Sequence, residues 1–248
     1  MQEMLSRAEY PITRILEIVD YFSTVDARKY DERLLTFSAG LNLNFPGSWN
    51  AESWCAGREV LIIGGGRSVH YHKHGIFFYI ARYQPLVISL SGEKSDLLDG
   101  YVDVCVCANE AKMIAEGRNY SKLEKPIIIP KRMFERVSDI DLSDCEIRDY
   151  GVKFDENVFE PGVDGCVLPS ESSLAFALAL ATIGKARTIS LVGFDGYSDD
   201  DVRAISMNSL FSIYQDKNLK NYFHRNSFVI VLQLRHANID AFFVKAKF

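Results

Sequence analysis

Ten residues decide the fold of this chain: Glu59-Val60-Leu61-Ile62-Ile63-Gly64-Gly65-Gly66-Arg67-Ser68. An apolar run of strand type stops on three glycines, and a serine then precedes a segment with helical spacing. Glycine lets the main chain approach a ligand closely, and a serine at a helix start can cap a free N–H group. A strand, a glycine turn and a helix start in this order present backbone N–H groups to a phosphate. The alternative is a tight strand-to-helix turn without a ligand, because the glycines match neither the Rossmann nor the Walker pattern.

The composition describes one globular domain with an added segment. The chain has 248 residues, of which 48% are hydrophobic and 25% charged, and its net charge is −5. No stripe of basic residues interleaved with aromatic residues runs along it, so nucleic acid is not expected as a partner. The five cysteines are scattered, which favours a reducing compartment and a packing role for Cys105 and Cys107. No signal peptide and no apolar run of membrane-spanning length is recognised, so we expect a cytoplasmic protein without a membrane span.

Two parts are predicted along the chain. Residues 12–24 place apolar side chains at helical spacing, so residues 1–50 are expected to form a helical N-terminal segment for docking or dimerisation. Residues 51–248 are expected to form an α/β, Rossmann-like domain, a mostly parallel sheet with helices on both faces, because strands apolar on both faces alternate with helices. The predicted strands are 60–63, 86–90, 102–108, 126–129, 188–192, 228–232 and 241–244, and the main predicted helices are 69–83, 110–118 and 174–183.

Polar residues follow several of these strands at their carboxyl ends, where parallel sheets bind their ligands. They are Gly64–Ser68, Ser89–Ser91, Ala108-Asn109 and Gly193–Tyr197. Two serines, Ser172 and Ser173, precede the alanine-rich helix at 174–183. Their hydroxyls can cap that helix, and its free N–H groups offer a second anion site. We therefore predict one composite site for an anionic ligand at this edge of the sheet.

Two further motifs invite a metal interpretation. The acidic run Asp199–Asp201 fits a helix N-terminus, where the dipole stabilises carboxylates without a cation. On one helix His70 and His74 would share a face while His72 points away, and no carboxylate stands nearby in the sequence. We therefore expect no metal site.

The motifs taken together resemble a known group of proteins. The glycine turn, the serines before the alanine-rich helix and the phrase Gly193-Phe194-Asp195-Gly196-Tyr197 are similar to those of the Campylobacter-type bacterial sialyltransferases. They also resemble the related Maf-type glycosyltransferase and archaeal pterin pyrophosphokinase domains. From about Trp54 to Gln215 the chain looks like the C-terminal domain that follows an aldolase-like barrel in proteins of polysaccharide gene clusters. In those domains the Gly-Phe-Asp-Gly-Tyr motif is followed by Asp-Asp and by Arg-x-x-x-Met, which here runs from Arg203 to Met207. Residues 10–43 resemble the helical segment that ends such aldolases.

The resemblance implies a nucleotide site. In the sialyltransferases the glycine turn and its serine hold the phosphate of a cytidine nucleotide, an asparagine contacts the donor, and a serine opens the alanine-rich helix. With their neighbours, the corresponding binding residues are Gly64, Gly65, Gly66, Arg67, Ser68, Ser91, Asn109, Ser172 and Ser173. The resemblance assigns Tyr197 to the departing phosphate, and Asp195 or His224 is the expected base.

The chain also departs from the family pattern. The family has proline where Arg67 stands, asparagine where Ser91 stands, and an arginine where Pro169 stands. Arg67 is a candidate replacement for that missing cation. His224 lies in no matching motif, although the catalytic histidine of the family occupies a comparable place in the chain.

The expected function is glycosyl transfer. The donor would be a nucleotide sugar, and the resemblance implies a CMP-linked acidic sugar. The acceptor would be a saccharide, and the reaction would belong to the synthesis of bacterial surface polysaccharide. No cofactor is expected to be required. Two alternatives stay open. One is a non-catalytic module that binds a nucleotide or sugar phosphate and joins an aldolase-like domain or a second copy through residues 12–24. The other is a Mg²⁺-dependent pyrophosphokinase-like enzyme that uses residues 199–201.

Overall fold

The computed structural model describes residues 45–65, 68–90, 99–138, 140–155, 158–169 and 171–193, together with strands at 228–233 and 242–245. The predicted helical segment lies outside these residues as far as residue 44, so its docking role stays a prediction. Among the helices of the described segments, none combines the length and the apolar character that crossing a membrane requires.

The described residues form eleven strands, five α-helices and a short 3-10 helix, Asp99–Tyr101. The strands are β1 Glu59–Ile63, β2 Leu86–Ser89, β3 Val104–Val106, β4 Ile127–Ile129, β5 Ile147–Asp149, β6 Gly151–Phe154, β7 Glu160–Pro161, β8 Gly165–Leu168, β9 Thr188–Val192, β10 Phe228–Gln233 and β11 Phe242–Lys245. The helices are α1 Ser68–Tyr71, α2 Lys73–Tyr83, α3 Glu110–Tyr120, α4 Lys131–Val137 and α5 Ser173–Ile183.

Eight strands form the main sheet, in the order β11-β10-β9-β1-β2-β3-β4-β5. Neighbours from β10 to β5 are parallel, and β11 is antiparallel to β10. The chain builds outward from β1 to β5 and then returns to place β9 on the other side of β1. The turn after β1 therefore stands at the topological switch point, where doubly wound sheets bind ligands.

Different helices bury the two faces of the central strands. Val60 and Ile62 lie in one core cluster with the apolar residues of α5, whereas Leu61 and Ile63 pack with Ile76 of α2. Because successive side chains of a strand point to opposite faces, α2 and α5 cover opposite sides of the sheet. Helix α5 is apolar all round and buried along most of its length, as a helix in the interior should be. The predicted α/β, Rossmann-like architecture is confirmed.

A second, smaller sheet was not predicted from the sequence. Its order is β6-β8-β7, in which β6 and β8 are parallel and β7 is antiparallel to β8. The segment before β1 bonds both sheets: Gly47 N donates to Asp164 O at 2.8 Å, directly before β8 of the small sheet, and Trp49 N donates to Asp149 O at 2.9 Å, at the end of β5 of the main sheet. Helix α5 contacts β7 and β8 as well as β3, so one buried helix joins the two sheets.

The predicted helix at 69–83 is two helices in the structure. Helix α1 ends at Tyr71, and His72 has φ −110° and ψ 17°, which departs from helical geometry. Helix α4 and strand β5 also fall in a stretch where no element was predicted, and β3 is shorter than the predicted strand at 102–108.

Candidate functional site

Three strands of the main sheet end together at one edge. Gly64 N, directly after β1, donates to Val192 O at the end of β9 over 2.8 Å. On the other side of β1, Leu90 N donates to Ile63 O over 3.0 Å. The ends of β9, β1 and β2 are therefore level with one another, and the glycine turn rises from the middle of the three.

The turns after β1 and β9 touch. Gly193, at the end of β9, has φ +78°, and a Cβ placed on it would lie 2.6 Å from Gly64 O and 2.6 Å from the side chain of Val69. Only glycine combines this backbone conformation with this close approach. Gly64, the first residue of the predicted glycine turn, therefore lies in contact with Gly193, the first residue of the Gly193–Tyr197 motif.

The glycine turn is open at its described positions. Gly65 is exposed, and a Cβ on it would have no described atom within 4 Å. Its φ lies outside the left-handed region, so the lack of a side chain, and not an unusual backbone, keeps the turn accessible. Gly66 and Arg67 lie outside the described residues, as does the side chain of Ser68, the first residue of α1.

Asn109 lies where β3 leads into α3 and joins two helix starts. Its Oδ1 accepts a hydrogen bond from Lys112 N at 3.0 Å, so the residue is the N-cap of α3. Its Nδ2 donates to Glu171 O at 3.3 Å, in the loop before α5. The N-termini of α3 and α5 are therefore tied together beside the end of β3.

The two predicted serines have different partners. Ser172 is the N-cap of α5, with its Oγ accepting from Ala175 N at 3.3 Å, and its predicted capping role is confirmed. The buried Ser173 Oγ accepts from Ala108 N at 3.3 Å and lies 3.7 Å from Cys107 Sγ. Its hydroxyl therefore fastens α5 to the end of β3, while Ser172 faces the shared edge in a half-buried position.

Charged groups surround these helix starts. Lys112 Nζ donates to Leu90 O at 3.0 Å, at the end of β2. Arg136, in the last turn of α4, forms an ion pair with Glu110 of α3. Burial raises the pKa of Glu171 above its ordinary value of 4.5, and the neighbouring Arg136 offsets part of the rise. The edge thus holds the N-termini of α3 and α5, two cations and two carboxylates. Because these groups are partly buried, water screens the interactions between them less than it would at an open surface.

These charged residues were missed in the sequence analysis. One local signal was available for Lys112: it is the third residue after the Asn109 cap, a position where Glu or Gln would complete a capping box. Nothing local pointed to Arg136 or Glu171, because their proximity depends on the packing of α4 and α5.

Several predicted site residues lie outside the described part of the chain. They are Gly66, Arg67, Ser91, Asp195, Tyr197 and His224. Their roles in binding and catalysis stay predictions. The described members of the predicted set, Gly64, Asn109 and Ser172 among them, stand at one edge of the sheet.

The histidine and cysteine motifs are accounted for by the fold. His70 and His74 lie on different helices, α1 and α2, and within the described segments no group of three His, Cys, Asp or Glu side chains could hold a metal ion. Cys105 and Cys107 are buried free thiols, as predicted for packing groups. Burial also raises the pKa of the Cys55 thiol to about 12, which keeps it protonated and unreactive.

No protein-family model matches this chain, and no curated protein matches it either. The sequence motifs and the geometry of the strand edge are therefore what supports a function.

Proposed function

We propose that this chain is a nucleotide-sugar-dependent glycosyltransferase that binds the phosphate of its donor at the switch-point edge of the main sheet. One observation carries the proposal: an open glycine turn after β1 stands at the same strand edge as the linked N-termini of α3 and α5. Backbone N–H groups and helix N-termini are the groups that proteins use to hold phosphates. The resemblance to sialyltransferases supports a CMP-linked acidic sugar as donor and a bacterial surface polysaccharide as product.

The proposed chemistry uses charge that develops on the leaving phosphate. As the glycosidic bond breaks, the nucleotide phosphate gains negative charge, and preoriented N–H groups stabilise that state more than the ground state. The resemblance assigns the phenol of Tyr197 to the same task, and Asp195 or His224 is the expected base that removes the proton from the acceptor hydroxyl. In this proposal the strand edge from the glycine turn to the start of α5 provides donor binding, and the residues beyond Gly193 provide catalysis.

A ligand screen tests the proposal. CMP, UDP, ADP and GDP are added with and without Mg²⁺, and the melting temperature is measured. CMP at about a hundred times its Kd should add about 2.7 kcal/mol to the free energy of unfolding, which corresponds to roughly 5–10 °C for a chain of this size. Release of CMP from a CMP-sugar in the presence of a saccharide acceptor then tests turnover. If no nucleotide moves the melting temperature, the proposal fails.

The variant Gly65→Ala separates phosphate binding from folding. A Cβ there would meet no described atom and the backbone conformation is ordinary, so we expect the stability to stay within about 0.5–1 kcal/mol of the wild type. The same Cβ obstructs close approach of a phosphate to the turn, so CMP affinity should fall by about tenfold or more. Gly75→Ala, which also has open space around its Cβ, is the matched control and should bind CMP like the wild type. Equal CMP affinity of Gly65→Ala and the wild type would contradict binding at this turn.

The two alternative functions depend on residues outside the described part of the chain, namely 12–24 and 199–201. The same screen distinguishes them. Nucleotide binding without turnover would favour the accessory module, and nucleotide binding that requires Mg²⁺ would favour the pyrophosphokinase-like enzyme.

A further inference from the structure

Lys112 occupies a position in α3 that does not suit a cation. It lies in the first turn, three residues after the Asn109 cap, where the helix dipole presents its positive end and favours carboxylates. Glu or Gln there would also complete a capping box. Residues that break a local rule of this kind concentrate at functional sites.

The ammonium group of Lys112 lies over the strand edge. Nζ donates to Leu90 O at 3.0 Å, and Leu90 N in turn bonds Ile63 O, the last carbonyl of β1 before the glycine turn. An ammonium group has three protons to donate. Within the described segments Leu90 O is the acceptor that Nζ contacts, and the nearby carboxylate of Glu110 pairs with Arg136. Nζ therefore keeps donors that can serve a ligand next to the turn.

We propose that Lys112 is the cation that binds the phosphate of the nucleotide at this edge. The inference rests on the proposed function in one respect, the identity of the ligand as a nucleotide. The hydrogen bond from Lys112 Nζ to Leu90 O orients the lysine side chain across the end of β2. The remaining N–H donors of Nζ bind the phosphate at the glycine turn. A lysine suits this task because its ammonium is a compact charge that adapts to phosphate oxygens.

The competing explanation is that Lys112 only ties α3 to β2. Three variants separate the two: Lys112→Met, Lys112→Arg and, as a control, Lys122→Met, an exposed lysine beyond the other end of α3. Calorimetric titration measures the Kd of cytidine, CMP and inorganic pyrophosphate for each full-length protein.

A phosphate-binding role predicts a selective loss. Lys112→Met should weaken CMP and pyrophosphate by about tenfold to a hundredfold, the range for one charged hydrogen bond, and change cytidine by less than about twofold. Lys112→Arg should recover most of the CMP affinity, and Lys122→Met should match the wild type. The melting temperature of Lys112→Met should change little, because removal of a cation from the first turn offsets the loss of the hydrogen bond to Leu90 O.

Each other outcome has a definite meaning. If Lys112→Met binds CMP like the wild type, or loses cytidine and CMP equally, this inference is overturned while the proposed function stands. If the wild type binds no nucleotide but binds pyrophosphate through Lys112, the proposed function fails, and Lys112 stands as the phosphate-binding cation of this edge for a ligand that is not a nucleotide. If the wild type binds none of the three probes, both fail.

Discussion

Single residues at this edge hold together the helix N-termini that we propose as part of the donor site. Asn109 caps α3 with one side-chain atom and holds the loop before α5 with the other. Ser172 caps α5, and Ser173 anchors it to the end of β3. Each of these bonds fixes a helix N-terminus in place before any ligand arrives, and such preorganisation is what makes a phosphate site effective.

Glu171 makes the stability of the fold depend on pH. Burial raises its pKa, with Arg136 offsetting part of the rise, so the folded chain holds this proton to a higher pH than the unfolded chain. The contribution of Glu171 is therefore most favourable below its ordinary pKa of 4.5 and is lost as the pH rises through the raised value. We expect Glu171→Gln to be more stable than the wild type at about pH 7, with a difference that shrinks toward about pH 4.

Urea unfolding at the two pH values measures this difference. Glu124→Gln, at an exposed position, controls for the loss of one negative charge. A Glu171→Gln variant that is less stable than the wild type near neutral pH would show that the ion interaction with Arg136 outweighs the burial of the carboxylate.

At the scale of elements, the contact between the turns after β1 and β9 depends on Gly193. Alanine there would carry both the strain of φ +78° and a clash with Gly64 O, and we expect a loss of about 1–3 kcal/mol in the free energy of unfolding. Gly57→Ala is a matched control, because Gly57 has φ +71° but open space around its Cβ. It should lose only the strain, about 1 kcal/mol. Equal losses of unfolding free energy for the two variants, measured by urea unfolding, would show that the close contact between the two turns adds nothing to the cost.

The elements that could be predicted are those whose own sequence suffices. Strand β9 was predicted with its observed bounds, and β1 within one residue, because both are continuous runs of branched apolar side chains. Strand β5 was missed because its three residues, Ile147–Asp149, are partly exposed at the sheet edge and two of them are charged. Strands β6 and β8 begin at glycines, which indicate turns from sequence alone.

Why glycine occupies the first position of β8 can be explained only from the folded structure. A Cβ on Gly165 would lie 2.6 Å from the ring of Phe45, so packing and not a turn selects glycine there. The residues of the candidate site also fall into a group that local sequence predicts and a group that needs the folded chain. The capping serine and the glycine turn follow from local chemistry, whereas the contact of Lys112 with Leu90 joins residues far apart in the chain and needs the folded sheet.

At the scale of the whole molecule, two sheets share one core. Helix α5 contacts strands of both, and Trp54 Nε1 donates to Leu180 O of that helix at 3.0 Å. Trp49 stands beside it, with its ring edge-on to Trp54 at 5.7 Å and to Tyr150 at 6.3 Å between centroids. The segment around these tryptophans thus fastens the small sheet to the helix that covers the main sheet, and we expect the two sheets to unfold as one cooperative unit.

The variant Trp49→Ala tests this cooperativity. The chain has two tryptophans, so Trp54 becomes the single fluorescent reporter of the junction, while far-UV circular dichroism reports both sheets. Because Trp49 is partly exposed, we expect a loss of about 2–3 kcal/mol, below the range for a fully buried ring. Trp49→Phe should restore much of it, since an aromatic ring can still pack on Trp54 and Tyr150. The fluorescence and dichroism midpoints should move together; a fluorescence transition that moves alone would mean that the small sheet opens separately and that α5 does not couple the two.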